Sequence, residues 1–138
     1  MFSYIIKHEP GLPLSLPLAL MHLRAGFPSP AEDHVDRQLD LNEFITHPAA
    51  TFYGRLEGDS MEPVMCDGDL LVVNRAIEAR PDHVVVATHN GEFTVKRLLL
   101  SGDRWVLSPE NPAYPVLECN EETEIWGVVQ ITLHWPSI

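Results

Sequence analysis

Basic residues are scarce. The 138-residue chain holds 9 Lys and Arg against 20 Asp and Glu, a formal net charge of -11. Binding to a phosphate backbone needs clustered Lys and Arg. Direct DNA binding is therefore not expected, although a protein partner that itself holds DNA fits the charge. Cysteine is scarcer still. Cys66 and Cys119 stand alone, without C-x-x-C spacing, so neither a disulfide framework nor a zinc ribbon is indicated. Two lone thiols fit a reducing cytoplasm. The 7 histidines are scattered without metal-ligand spacing, and no metal or cofactor is expected. The apolar stretch "GLPLSLPLALMHL" (11–23) is too short to span a bilayer. Pro13 and Pro17 break it, and no A-x-A cleavage site follows, so neither a signal peptide nor a membrane partner is expected.

What remains is an ordinary soluble composition, 45% hydrophobic and 21% charged, in a chain long enough for one domain with a modest core. Leu12, Leu14, Leu16, Leu18 and Leu20 recur at every second position, the period of an extended strand with its leucines on one side. The prolines confine that strand to an edge or a loose arm. Ser29 as N-cap, Pro30 at the first helical position and Glu32 closing a capping box predict a short helix from Pro30 to about Gln38. Asp40 and Glu43 repeat the capping pattern for a brief second turn before His47-Pro48. Between arm and helix, Ala25-Gly26-Phe27 is extended or turn-like, because each proline biases its predecessor away from helix.

From Thr51 the signals are β. "TFYGRLEG" (51–58), "LLVVN" (70–74), "HVVVATH" (83–89), "EFTVKRLLL" (92–100), "RWVLSP" (104–109) and "EIWGVVQITLHW" (124–135) are β-branched or aromatic runs. Asp67-Gly68-Asp69, Asn90-Gly91 and Ser101-Gly102-Asp103 separate them as turns, and Asn90-Gly91 is the clearest hairpin signal. The expected fold is mainly β: an N-terminal arm over 1–29, a short helical link over 30–47, and a compact, highly curved multi-stranded body over 48–138.

Two places in that body hold chemistry. "GDSME" (58–62) sets Ser60 in a glycine-flanked turn after a strand. Such a turn is either an ordinary surface bend or a place where a hydroxyl stands beside unpaired backbone N–H groups, as an oxyanion hole requires. "EFTVKRLLL" sets Lys96 inside a strand, on one face with Thr94 and Leu98 by period two. It is either a solvated surface charge or a desolvated amine whose lowered pKa makes it a base for a nearby hydroxyl. Asp82-His83 with Ser60 would be the parts of a Ser-His-Asp hydrolase, but "GDSME" is not G-x-S-x-G. Asp67-Gly68-Asp69 has no calcium-loop continuation.

Together, "GFPSPAEDHVDRQLDLNEFITHPAATFYGRLEGDSM", "DGDLLVV" and "GEFTVKRL" closely resemble the UmuD branch of the LexA/UmuD family of self-cleaving serine peptidases, over roughly residues 22 to 133. The resemblance implies Ser60 as nucleophile and Lys96 as its general base. It implies a scissile bond at Ala25-Gly26 in the chain's own arm, with the backbone N–H groups of Ser60 and Met61 as an oxyanion hole. Ala-Gly is the dipeptide of the LexA branch, set here in a UmuD-like frame. The 25 residues before the bond are proline-broken and not basic, which argues against a helix-turn-helix repressor domain. The resemblance further implies DNA-damage tolerance in the SOS response: cleavage stimulated by the RecA filament on single-stranded DNA, and a homodimeric product that serves an error-prone, Y-family translesion DNA polymerase. The alternative is a non-cleaving binding module of the same fold that regulates a DNA polymerase.

Overall fold

A computed structural model of the chain describes residues 2–7, 15–19 and 35–137, with side chains described for 7 and 40–137. In chain order the strands are β1 (Phe2–Lys7), β2 (Ser15–Ala19), β3 (Val35–Asp40), β4 (Thr51–Leu56), β5 (Leu70–Asn74), β6 (Val84–His89), β7 (Glu92–Ser101), β8 (Arg104–Ser108), β9 (Leu117–Glu118) and β10 (Thr123–Leu133). Two 3₁₀ turns, Leu41–Phe44 and Pro48–Ala50, are the helical structure among the described residues. The chain divides into two units, Met1–His8 with Ala49–Ile138, and Glu9–Pro48.

In the smaller unit β2 and β3 pair antiparallel, Leu16 opposite Leu39 and Leu18 opposite Arg37. The strand read from alternating leucines is present over Ser15–Ala19, and Pro17 sits in a two-stranded sheet, where every strand is an edge. The helix expected over Pro30–Gln38 is corrected: Val35–Asp40 is a strand. The capping signals are local, whereas a neighbouring strand supplies backbone partners that a single helical turn lacks. The run V-D-R-Q-L-D also alternates, with Val, Arg, Leu at odd positions and Asp, Gln, Asp at even ones. The second cap reading holds, since the Asp40 carboxylate accepts the Asn42 N–H at 2.9 Å and starts the turn at Leu41. Ala25, Gly26, Ser29 and Pro30 lie outside the described residues.

The larger unit is one eight-stranded antiparallel sheet in the order β1-β4-β5-β10-β6-β7-β8-β9. All six β segments expected from Thr51 onward are there within a few residues. The expected mainly β fold is the observed one. Asn90-Gly91 makes the β6–β7 hairpin, with φ of 51° and 84°, as the tight two-residue turn demands. The run Val84-Val85-Val86-Ala87 is buried throughout. Val84 and Val86 join an apolar cluster with Met61, Leu71, Val73 and Val95. Val85 and Ala87 join a second with Leu98, Leu107 and Val128. β6 therefore buries both faces, and each fully buried side chain of this kind contributes about 1.5–3 kcal/mol. Register shifts in β10, at Ile125/Gly127 and at Val129/Ile131, bend the strand where it passes between β6 and β5. At the first bulge the Val73 side chain packs so closely over Gly127 that a Cβ there would lie 2.7 Å from Val73 Cγ1.

Candidate active site

The Ser60 turn follows β4. Gly58 turns the chain at a φ of 93°, and its N–H is caught by the Asp67 carboxylate at 2.7 Å. The Met61 side chain is fully buried, and its carbonyl accepts the Met65 N–H at 2.9 Å. Anchored at Gly58 and Met61, the turn holds Ser60 between them at the surface. Among the described residues, the backbone N–H groups of Ser60 and Met61 donate no hydrogen bond. Free N–H groups flanking a hydroxyl are what a developing oxyanion would use.

Lys96 comes from the middle of β7, where Val85 lies opposite it in register. It is 8% exposed, so of the two readings of this lysine the desolvated one describes it. Its Nζ lies 3.1 Å from Ser60 Oγ, 2.7 Å from Thr94 Oγ1 and 3.2 Å from the Val95 carbonyl. All three are uncharged oxygens, and none of the ion pairs among the described residues involves Lys96. Burial with no compensating carboxylate pushes the amine's pKa down from the usual lysine range. The contacts suit a neutral amine. Its two N–H bonds go to Thr94 and Val95, and its lone pair is left for the Ser60 hydroxyl proton.

A loop invisible to the motif reading joins these two parts. Ser60's carbonyl accepts the N–H groups of Glu110 and Asn111, each at 3.0 Å. Asn111 Nδ2 donates to the Asp59 carbonyl at 3.1 Å, and the Tyr114 hydroxyl donates to the Asp59 carboxylate. Glu110 in turn pairs with Arg97, the residue after Lys96. The loop 109–114 thus grips the serine turn with its backbone and the lysine strand with a side chain. Its sequence signal, "PENPAY", reads as turn chemistry alone. The Asp59 bond and charge push the Tyr114 hydroxyl's pKa up, which keeps it protonated as a donor.

Ser60, Lys96 and Thr94 open onto a cavity of about 300 Å³, whose rim includes Glu57, Asp59 and Glu92. The Ser-His-Asp alternative is not assembled, because His83 Nδ1 accepts the Arg80 N–H at 3.1 Å while the Ser60 hydroxyl meets Lys96. Asp67-Gly68-Asp69 is a turn as read, with Gly68 at a φ of 88°.

A β sheet that brings a serine turn against a buried lysine defines a peptidase-like arrangement, and comparison with known proteins agrees. The chain belongs to the Peptidase S24-like family, which it matches over residues 17–130 and which contains self-cleaving serine peptidases. It is 48% identical to the protein SamA of Salmonella typhimurium over 120 residues, 86% of this chain and 84% of that one. It is 46% identical to the protein MucA of Escherichia coli over 124 residues, again 86% of this chain and 84% of that one. Both are UmuD-like proteins. A LexA repressor of Idiomarina loihiensis is 35% identical over 119 residues, but the match covers 56% of that protein. Among the described residues no helix is long and apolar enough to cross a membrane.

Proposed function

We propose that this chain is a self-processing serine peptidase that cuts its own Ala25-Gly26 bond. The neutral Lys96 amine takes the Ser60 hydroxyl proton as Oγ bonds to the carbonyl carbon of Ala25. The negative charge that develops on the carbonyl oxygen is met by the N–H groups of Ser60 and Met61. The tetrahedral intermediate collapses as the Lys96 ammonium returns its proton to the nitrogen of Gly26, and the C–N bond breaks. Water, deprotonated by Lys96, then attacks the acyl carbon, the Lys96 ammonium returns that proton to Ser60 Oγ as the C–O bond breaks, and residues 1–25 leave as a carboxylate. Small residues at 25 and 26 suit a bond that must be bent into a turn-borne site, and Gly26 supplies the φ freedom. The shortened product, a homodimer, serves as accessory subunit to an error-prone, Y-family translesion DNA polymerase, and the RecA filament on single-stranded DNA promotes the cut. The UmuD-like relatives support that setting.

The observation that carries the reading is the buried lysine amine 3.1 Å from Ser60 Oγ. The test is intact-mass measurement after incubation at alkaline pH, on wild type and on Ser60→Ala. Wild type should yield a fragment beginning at Gly26, and Ser60→Ala should stay whole while keeping its fold. An uncut wild type, with or without RecA filament, would leave the chain a binding module. A cut in Ser60→Ala would remove the serine from the mechanism.

A further inference from the structure

The turn that ends before β5 and the residues that follow β10 come together because those strands pair antiparallel. Leu133 lies opposite Leu70, so the next residues outward are His134 and Asp69. The turn itself closes when the Asp69 N–H reaches the Cys66 carbonyl at 3.0 Å, which brings the side chains of Cys66 and Asp69 to one side. One donor atom from each of Cys66, Asp69 and His134 lies within 4.8 Å of the others. We propose that these three side chains form a binding site for a thiophilic divalent cation of the zinc class.

The donor set carries the argument. A thiolate, a carboxylate and an imidazole are the three ligand types that zinc takes, and three protein ligands plus water complete a tetrahedron. Bond lengths of about 2.0–2.3 Å place tetrahedral donors roughly 3.3–3.8 Å apart. The observed spacing, within 4.8 Å, exceeds that by about 1.5 Å at most, a difference that side-chain rotation of the partly exposed Cys66 and His134 closes. The carboxylate is already aimed. Asp69 is 2% exposed, and its Oδ2 accepts the Cys66 N–H at 2.8 Å and the Thr132 hydroxyl at 3.3 Å. Its Oδ1 is left facing His134 Nδ1, with which it pairs. Outer partners that fix one oxygen and present the other are how proteins orient metal-ligating carboxylates. A cation would replace the proton shared between Oδ1 and the imidazole. His134 and Cys66 leave a path to solvent, since the imidazole side chain is 46% exposed.

A bound metal would deprotonate the coordinating thiol outright. Spacing along the chain could not reveal this cluster, since its third member lies 65 residues beyond Asp69 and only the β5–β10 register brings it near.

The test uses chelator-treated full-length protein titrated with Co²⁺ and followed by absorption spectroscopy, with Zn²⁺ calorimetry in parallel. Wild type should bind one ion per chain and show a thiolate-to-cobalt charge-transfer band. Cys66→Ser should lose the band, His134→Ala should weaken binding by about tenfold or more, and Cys119→Ser should keep both. Zn²⁺ should raise the melting temperature of wild type but not of Cys66→Ser, a readout independent of self-processing. The proposal is overturned if no charge-transfer band appears. It is equally overturned if the band survives in Cys66→Ser, or if affinity is unchanged in both Cys66→Ser and His134→Ala, because the ion would then sit on other histidines or carboxylates.

Discussion

Thr94→Val tests how Lys96 is aimed. The substitution keeps the β-branched shape and removes one acceptor, the oxygen 2.7 Å from Lys96 Nζ. In the neutral amine, one N–H of a side chain that is 8% exposed then has no protein partner. A net hydrogen bond is worth about 0.5–1.5 kcal/mol, and a buried donor left unmade costs about 1–3 kcal/mol. Ser60 Oγ and the Val95 carbonyl remain to hold the amine, so the lower part of that range applies. About 1–1.4 kcal/mol of lost positioning corresponds to a roughly five- to tenfold slower self-processing rate.

A second consequence separates aiming from general loosening. Thr94 accepts a charge-assisted bond from the ammonium and a weaker one from the amine, so its hydroxyl favours the charged form. Its removal should move the midpoint of the rate–pH profile towards acid while the plateau falls. The assay is the first-order loss of intact mass across pH in wild type, Thr94→Val and Thr94→Ser, the last of which should recover most of the rate. An unchanged rate and midpoint in Thr94→Val would refute the reasoning. A slower rate with a fixed midpoint would mean that the hydroxyl holds the strand rather than the amine.

In wild type, processing should accelerate from neutrality and level off below the ordinary lysine range near ~10.4, because burial lowers the Lys96 pKa; a flat profile would exclude lysine as the base. By the same shift the unfolded chain binds this proton more readily than the native one, so native stability gains from this group as pH rises towards ~10.4. Lys96→Met should therefore raise the denaturation midpoint near neutral pH and lose that advantage at strongly alkaline pH. Tyr114→Phe removes the bond to Asp59 and should slow processing several-fold without changing the melting temperature by more than a few degrees. Gly127→Ala should destabilise the sheet by about 1–3 kcal/mol in urea unfolding, because its Cβ meets Val73 at 2.7 Å.

The larger unit was readable because its signals are redundant. The β6–β7 hairpin is announced by Asn90-Gly91 and by two flanking β-forming runs, and both agree with its register. The first strand, Phe2–Lys7, went unread although it holds Phe, Tyr and two Ile. Its partner is β4, more than forty residues away, and no local turn marks the pairing. β9 is two residues long and has no pattern to show. The helix over Pro30–Gln38 failed for the opposite reason: its caps were locally consistent, and pairing with the strand Ser15–Ala19 prevailed over Val35–Asp40. The site divides in the same way. Ser60 and Lys96 sit in motifs, whereas Thr94 was visible only as a face neighbour. The loop 109–114 holds the Ser60 carbonyl through two backbone N–H groups, whose partner no residue type declares, and its side-chain contacts join residues up to 55 positions apart.

The acidity of the chain and the lysine at its centre are one problem. With 20 carboxylates against 9 Lys and Arg, a buried ammonium has many prospective partners. A single carboxylate at salt-bridge distance would favour the charged form and undo the effect of burial. The sheet prevents this by its composition around Lys96. Its register partner is Val85, and Val95 and Leu98 are buried beside it on β7, so the immediate surroundings of the amine are apolar or hydroxyl-bearing. The acids of the rim, Glu57, Asp59 and Glu92, stand at the exposed mouth of the cavity, where water screens them. Arg97, one residue on, takes up Glu110 instead. Strand alternation thus sends the permanent charge to a carboxylate on one face and the desolvated amine to a hydroxyl on the other. A carboxylate introduced at Thr94, as in Thr94→Asp, should pull the Lys96 pKa up and stop processing near neutral pH while leaving the Ser60–Lys96 spacing intact. Processing by that variant at the wild-type neutral rate would show that an uncharged lysine is not what the site requires.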